Sequence, residues 1–259
     1  ERYYGKKGLL DNICNQNTST KIYKYKNDAP EIFKYSNIEN YSIKIKMLLD
    51  NIEKSEGIVF IYSQYIGSGI LPIMLALEQN GYKNYSKNIF DIDSENRNKN
   101  YIAITADQDI SSNNQEEIKI CTSYENRNGE KIKIILGNQV ASEGLDLKNI
   151  RSIHIIDPWY HLKKMEQIIG RGIRYCSHKD LNDPEKNNVT VYLYSGIPEK
   201  IENSIDINIY NLAEKKNDDI VKVERILQEN AIDVKLFKDI KIPKKITEKC
   251  KLTIKKNMN

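Results

Sequence analysis

Ile134-Ile-Leu136-Gly137, Ala141-Ser-Glu-Gly144-Leu-Asp146 and Ile153-His-Ile-Ile156-Asp157-Pro158-Trp159 together decide the fold. Two short Ile-rich runs each end in a polar turn. That is the pattern of buried parallel strands feeding loops, because a strand covered on both faces reads as a continuous apolar run. The polar turns then become the places where chemistry is presented.

Immediately downstream stands Gln167-Ile-Ile-Gly170-Arg171-Gly-Ile-Arg174. On a helix, Gln167, Arg171 and Arg174 fall at i, i+4 and i+7 and project from one face. Gly170 beside Arg171 leaves room for a close neighbour. Two guanidiniums and an amide converging on one point make a receptor for a polyanion, since Arg offers the bidentate geometry that suits phosphate. An isolated pair of Arg would be an ordinary basic face; the strands and turns before it set this pair apart.

The order strand, Ser-Glu-Gly-Leu-Asp loop, strand, Asp-Pro-Trp loop, Q-x-x-G-R-x-x-R helix resembles motifs V and VI of superfamily 2 helicases. It is most similar to the second RecA-like domain of the branch found in large nucleocytoplasmic DNA viruses, related to viral early-transcription-factor ATPases and more distantly to Swi/Snf-type translocases. The resemblance implies an α/β fold, a RecA-like parallel sheet flanked by helices, with a helical C-terminal extension. It also implies an ATP-dependent nucleic-acid motor. Arg174 is then the finger that meets the γ-phosphate, Arg171 its partner, and Gln167 the group that orients phosphate or water. Gly144, Asp146 and Gly170 belong to the nucleotide side. Asp146 accepts from a ribose hydroxyl, holds an Arg of motif VI, or simply caps a turn. Ser142 and Glu143 face the nucleic-acid backbone or serve the loop alone.

Working outward, Gly57-Ile-Val-Phe-Ile-Tyr62 reads as a buried strand and ends in Ser63-Gln64, which resembles motif IV. Tyr101-Ile-Ala-Ile-Thr105 is another strand. Ala106 stands where many relatives have Gly, which weakens any close approach of backbone to phosphate there. Ser63, Gln64 and Thr105 sit at strand ends, where doubly wound sheets place ligands, and are read as nucleic-acid contacts. Tyr41–Ile52 has helical spacing and is expected to be the first helix. Gly67–Pro72 opens a second one that runs to about Asn80, with Pro72 tolerated near its start. Trp159 is read either as a base-stacking ring or as a buried anchor for the Arg-bearing helix, and Asp157 as an orienting or capping group.

The expected organisation is a connector (1–45) from a missing N-terminal motor domain, then the second RecA-like domain (46–198). Within it, 83–100 is read as a mobile insertion. A helical extension (199–240), with apolar residues at 205, 209, 212 or 213, 220, 223 and 227, packs on the sheet. A basic flexible tail (241–259) closes the chain, as a solvated terminus or a nucleic-acid contact.

The 259 residues carry a net charge of +4 with 29% charged side chains, so nucleic acid must be met by local patches. Four scattered Cys and three His form neither a disulfide frame nor a metal-ligand spacing, and no metal is assigned to the chain itself. The thiols read as reduced and intracellular, which in a virus would mean host cytoplasm or virion. No apolar run approaches the ~20 residues a bilayer requires. The chain opens on Glu1-Arg-Tyr-Tyr without Met and is read as a piece of a longer protein. It has no G-x-x-x-x-G-K-[ST] loop and no acidic D-E-x-H run. ATP and Mg2+ are therefore expected to be held mainly by the missing domain, and the chain alone to be inactive. The expected partners are nucleic acid, DNA ahead of RNA, the N-terminal motor domain, and transcription or replication machinery, with no membrane. The alternative is a non-catalytic interaction module such as a transcription-factor subunit.

Overall fold

The computed structural model describes residues 4–92, 99–111, 114–139, 146–198 and 204–232. In chain order the main elements are α1 (Gly5–Asn12), β1 (Cys14–Gln16), β2 (Tyr23–Tyr25), α2 (Ile43–Lys54), β3 (Ile58–Tyr62), α3 (Leu71–Gln79), β4 (Tyr82–Asn84), β5 (Lys99–Ile104), α4 (Asn114–Cys121), β6 (Ile134–Gly137), β7 (Ile150–Ile155), α5 (Leu162–Gly172), β8 (Thr190–Leu193) and α6 (Ile205–Glu229). Strands β1 and β2 pair antiparallel as a small ribbon. The other six form one parallel sheet in the order β4-β5-β6-β3-β7-β8.

The continuous Ile runs still obey the two-residue strand period. Val59, Ile61, Tyr101, Ala103, Ile134 and Leu136 point into one core with α2 and α3. Ile58, Phe60, Ile102, Ile104, Ile135, Ile153 and Ile155 point into the other. Parallel strands need crossover helices, and those helices cover both faces. Helix α2 opens on Ser42, whose hydroxyl accepts from the Ile45 N–H at 3.3 Å, the usual way to satisfy a first-turn donor. Between β3 and α3 lies a π-helical turn, Ile66–Ile70, and Pro72 sits in the first turn of α3.

Three readings from the sequence change. The polar N-terminal segment contains α1 ahead of α2, and it buries Leu9, Cys14, Tyr23, Phe33 and Ile38 in the first core. The segment 83–100, read as a mobile insertion, holds the edge strand β4 and the start of β5, with Ile89 and Phe90 buried. Its fastener is Glu78, fully buried on α3, whose carboxylate accepts from the Ile89 and Phe90 N–H groups at 2.8–3.1 Å and from the Tyr101 hydroxyl at 2.6 Å. A lone acid in an apolar helix gave no hint of that, because its partners are distant in sequence. Residues 93–98 lie outside the described residues.

The C-terminal helix exists; of its expected apolar positions 213 is buried, and 210 sets its phase in place of 205 or 212. Tyr210 and Ala213 are its buried positions, whereas Ile205 and Leu212 are exposed. The Tyr210 hydroxyl donates to the Tyr194 carbonyl at 3.2 Å, which sets that phase. Two compact units divide the chain after Glu214. The second, as far as it is described, is the remainder of α6 and the residues that follow it to Ile232, a polar helix with exposed Val223, Ile226 and Leu227. The basic tail 241–259 lies outside the described residues. Among the described residues no helix is long and apolar enough to cross a membrane.

Candidate functional site

The candidate residues separate into two groups, at opposite edges of the sheet. Register places Ile104, Gly137, Tyr62 and Ile155 side by side, so β5, β6, β3 and β7 end in one row. Thr105, Ser63, Gln64 and Asp157 follow directly from that row. Helix α5 runs back along β7. Its final residue, Gly172, packs on Ile150 and Ile153, where an added Cβ would come within 2.9–3.2 Å. The Arg-bearing end therefore lies beside the beginning of β7, about 16 Å from the other edge at ~3.3 Å per strand residue.

At the Arg edge the structure revises the helical-face reading. Helix α5 stops at Gly172, and Arg174 lies beyond it. The break is enforced by the chain that follows: Ser177 N–H donates to the Arg174 carbonyl at 3.0 Å, and Asn149 N–H to the Ser177 carbonyl at 2.9 Å. His178 Nε2 lies 2.7 Å from the Ile150 carbonyl. A carbonyl only accepts, so Nε2 carries the proton, and Nδ1 takes the Ser177 hydroxyl at 2.9 Å. Cys176 adopts φ +61° in this turn. Gln167 and Arg171 stay on α5, with Gln167 exposed and Arg171 partly so. Gly170 also changes role. An added Cβ there meets nothing within 4 Å, so Gly172 is the glycine the packing requires.

Freed from the helix, Arg174 Nη1 donates to Asp146 Oδ1 at 2.8 Å. Both side chains are more than a third exposed, at 39% and 61%, so the pair adds little stability. Its effect is orientation. Among the described residues the guanidinium has no other partner, which leaves most of its five donors open. Of the three possibilities for Asp146, the structure shows the Arg-holding one. Ser142, Glu143 and Gly144 lie outside the described residues.

At the opposite edge, Ser63 is fully buried. Its hydroxyl donates to Asp157 Oδ2 and accepts from Tyr65 N–H at 3.3 Å, so it faces inward instead of presenting itself to a ligand. Gly69 is required here, because a Cβ would lie 1.9 Å from the Ser63 hydroxyl. Gln64 donates its N–H to the same Asp157 oxygen at 3.2 Å, while its side chain is partly exposed and unengaged among the described residues. Thr105 is buried and closes a turn by accepting from Asp107 N–H at 3.2 Å.

Sequence reasoning missed the supports. Asp157 is pushed above the usual carboxylate range by burial, opposed by the Ser63 hydroxyl and by Lys44. Lys44 donates to the Ile156 carbonyl at 3.2 Å and forms an ion pair with Asp206, which also accepts from Gly196 N–H at 2.9 Å. Lys44 stands 112 residues from Ile156, and Asp157 stands 94 from Ser63, so no local pattern signals them. Trp159 is partly buried and packs against the second core.

A parallel sheet with helices on both faces, one edge presenting an Arg bonded to Asp146 and the other an amide unengaged among the described residues, makes this a RecA-like α/β domain. The chain belongs to the family described as "Helicase conserved C-terminal domain", matched over residues 43–176. Among curated proteins it is 32% identical over 236 residues to "Putative ATP-dependent RNA helicase R563" of Acanthamoeba polyphaga mimivirus, covering 90% of this chain and 40% of that protein. It is also 32% identical over 249 residues to "Putative helicase 087L" of Invertebrate iridescent virus 3, covering 90% and 24%. The "Termination factor NPH-I homolog" of African swine fever virus is 30% identical over 189 residues, covering 61% and 26%. The chain thus spans less than half the length of these relatives.

Proposed function

We propose that this chain is the second motor domain of an ATP-dependent superfamily 2 helicase or translocase. The observation that carries the reading is the Arg174 guanidinium, held by Asp146 at one donor and with no other partner among the described residues. Phosphoryl transfer spreads negative charge over the γ-phosphoryl oxygens, and positioned cations stabilise that charge. Arg174 supplies one such cation across the cleft, Arg171 a second, and Gln167 orients phosphate or water. Asp146 keeps Arg174 extended until a stronger anion arrives. Gly144 and Gly170 are assigned to the same nucleotide side.

Among the described residues no group of three or more acidic, His or Cys side chains could hold a metal. Mg2+ bound with ATP would neutralise phosphate charge, and its ligands are assigned to the preceding domain. This chain alone is accordingly assigned no turnover. At the opposite edge the partly exposed Gln64 is the contact for a nucleic-acid backbone; Ser142 and Glu143 are assigned the same role. The buried Ser63 and Thr105 shape the loops that present it. DNA is the polymer the resemblance favours, and relatives named as RNA helicases make RNA the second polymer to test. Hydrolysis removes the anion that holds Arg174 and lets the two motor domains part, which moves the strand. Transcription or replication machinery is assigned as a further partner, and host cytoplasm or virion as the setting if the protein is viral.

The test is nucleic-acid-stimulated ATPase of the full-length protein, wild type against Arg174→Ala. Hydrolysis is expected to fall by about 10³ or more with nucleic-acid binding retained. Unchanged hydrolysis makes Arg174 structural. A wild-type protein with no ATPase hands the site to the non-catalytic interaction module.

A further inference from the structure

The two edges of the sheet are joined by one short path, and a single carboxylate closes it. Strand β3 leads into Ser63 and Gln64; its neighbour β7 leads into Ile156 and Asp157. Asp157 Oδ2 accepts from both the Ser63 hydroxyl and the Gln64 N–H. Asp157 is followed by buried Pro158, by Trp159, partly buried against the second core, and by α5, which ends at the Arg edge. On its other side, Lys44 ties the Ile156 carbonyl to Asp206. A π-helical turn follows Gln64, a distortion found often at functional sites. Any force on the Gln64 side chain, unengaged among the described residues, acts on a backbone N–H bonded to Asp157. From there it passes through a proline and an anchored tryptophan into a rigid helix.

We propose that Asp157 is a positioning residue coupling the two edges: nucleic acid held at Gln64 sets the placement of Arg171 and Arg174 through Asp157 and α5. This rests on the motor reading above. A residue with a merely structural role would weaken binding, basal turnover and stimulated turnover together; a coupling residue separates them.

The experiment uses the full-length protein with Asp157→Ala and Asp157→Asn, probed with poly-dT and poly-U. Basal turnover and strand affinity are expected within about 3-fold of wild type, while stimulation by the strand falls about 10-fold, a size typical of single-residue changes in coupling. Asp157→Asn, whose amide oxygen still accepts from Ser63, is expected to lie between the two. In parallel, hydrogen exchange across Leu162–Gly172 is followed with and without the strand. Wild type and Arg174→Ala should both respond to the strand, and Asp157→Ala should not. Full stimulation in Asp157→Ala, a parallel fall of basal and stimulated rates, or an exchange response that survives the substitution each overturn the proposal. If the wild type hydrolyses no ATP, the motor reading fails and the exchange arm decides alone: a strand response dependent on Asp157 sustains the coupling, and no response in wild type overturns it.

Discussion

Lowering the pH should destabilise this domain through one residue, His154. It lies on β7, fully buried, with Nδ1 2.8 Å from the Tyr194 hydroxyl and Nε2 3.1 Å from the Ser152 hydroxyl. Its ring stacks on Tyr192 at 4.6 Å between centroids. No carboxylate touches it, so burial alone acts, pushing its pKa from 6.5 down to about 4. The unfolded chain therefore takes up the proton first. Stability from the neutral ring is fully present above pH 6.5 and is lost as pH falls from there towards 4. The gap amounts to about 3 kcal/mol at ~1.4 kcal/mol per tenfold, a large part of a typical folding free energy of about 5–15 kcal/mol. Asp157 and Glu117, both raised by burial, act with the opposite sign, so the wild-type curve alone mixes the effects. The clean measurement is urea denaturation of wild type and His154→Gln at pH 7.5, 6.0 and 4.5. The variant is expected to be less stable at pH 7.5 through lost stacking. That difference should shrink, or reverse, by more than about 2 kcal/mol at pH 4.5. A difference that stays level across pH would show that folded His154 protonates as readily as the unfolded residue, and the buried-cage account would be wrong.

The two glycines of α5 should respond in opposite senses. Gly172→Ala drives a methyl into Ile150 and Ile153 and should cost about 1–3 kcal/mol, whereas Gly170→Ala meets open space and should gain about 0.5–1 kcal/mol from helix propensity; thermal melts of both variants check this. Glu78→Gln leaves the size of the side chain intact but weakens charge-assisted acceptance from two N–H groups and a tyrosine, with an expected loss of about 1–3 kcal/mol. Faster hydrogen exchange at Ile89 and Phe90 is its signature, and unchanged exchange there would contradict the fastening role. Single-strand binding should weaken steeply as salt rises, because phosphate contacts release counterions; fluorescence anisotropy from low to moderate salt measures the slope, and a flat slope excludes a phosphate-binding edge.

Strand identity and parallel packing were legible in the sequence because an Ile-rich run bounded by polar turns has few other uses. The spacing of Gln167, Gly170, Arg171 and Arg174 likewise carried the class of the domain. Local periodicity nonetheless misplaced Arg174, since nothing in Q-x-x-G-R-x-x-R announces that Ser177 and His178 will pull the chain onto the start of β7. The same limit hid Glu78, whose partners are 11 to 23 residues away, and Lys44, whose contact at Ile156 is 112 residues away. Sequence by itself determined that the Ile-rich strands are buried and which residues carry charge, because burial of such runs follows from side-chain chemistry and short-range period. Only the tertiary structure decided that the arginines and the Gln64 loop occupy opposite edges of the sheet, joined through Asp157. Parallel strands bring distant turns into one row while their crossover helices return to the other edge, and that placement is set by the path of the whole chain.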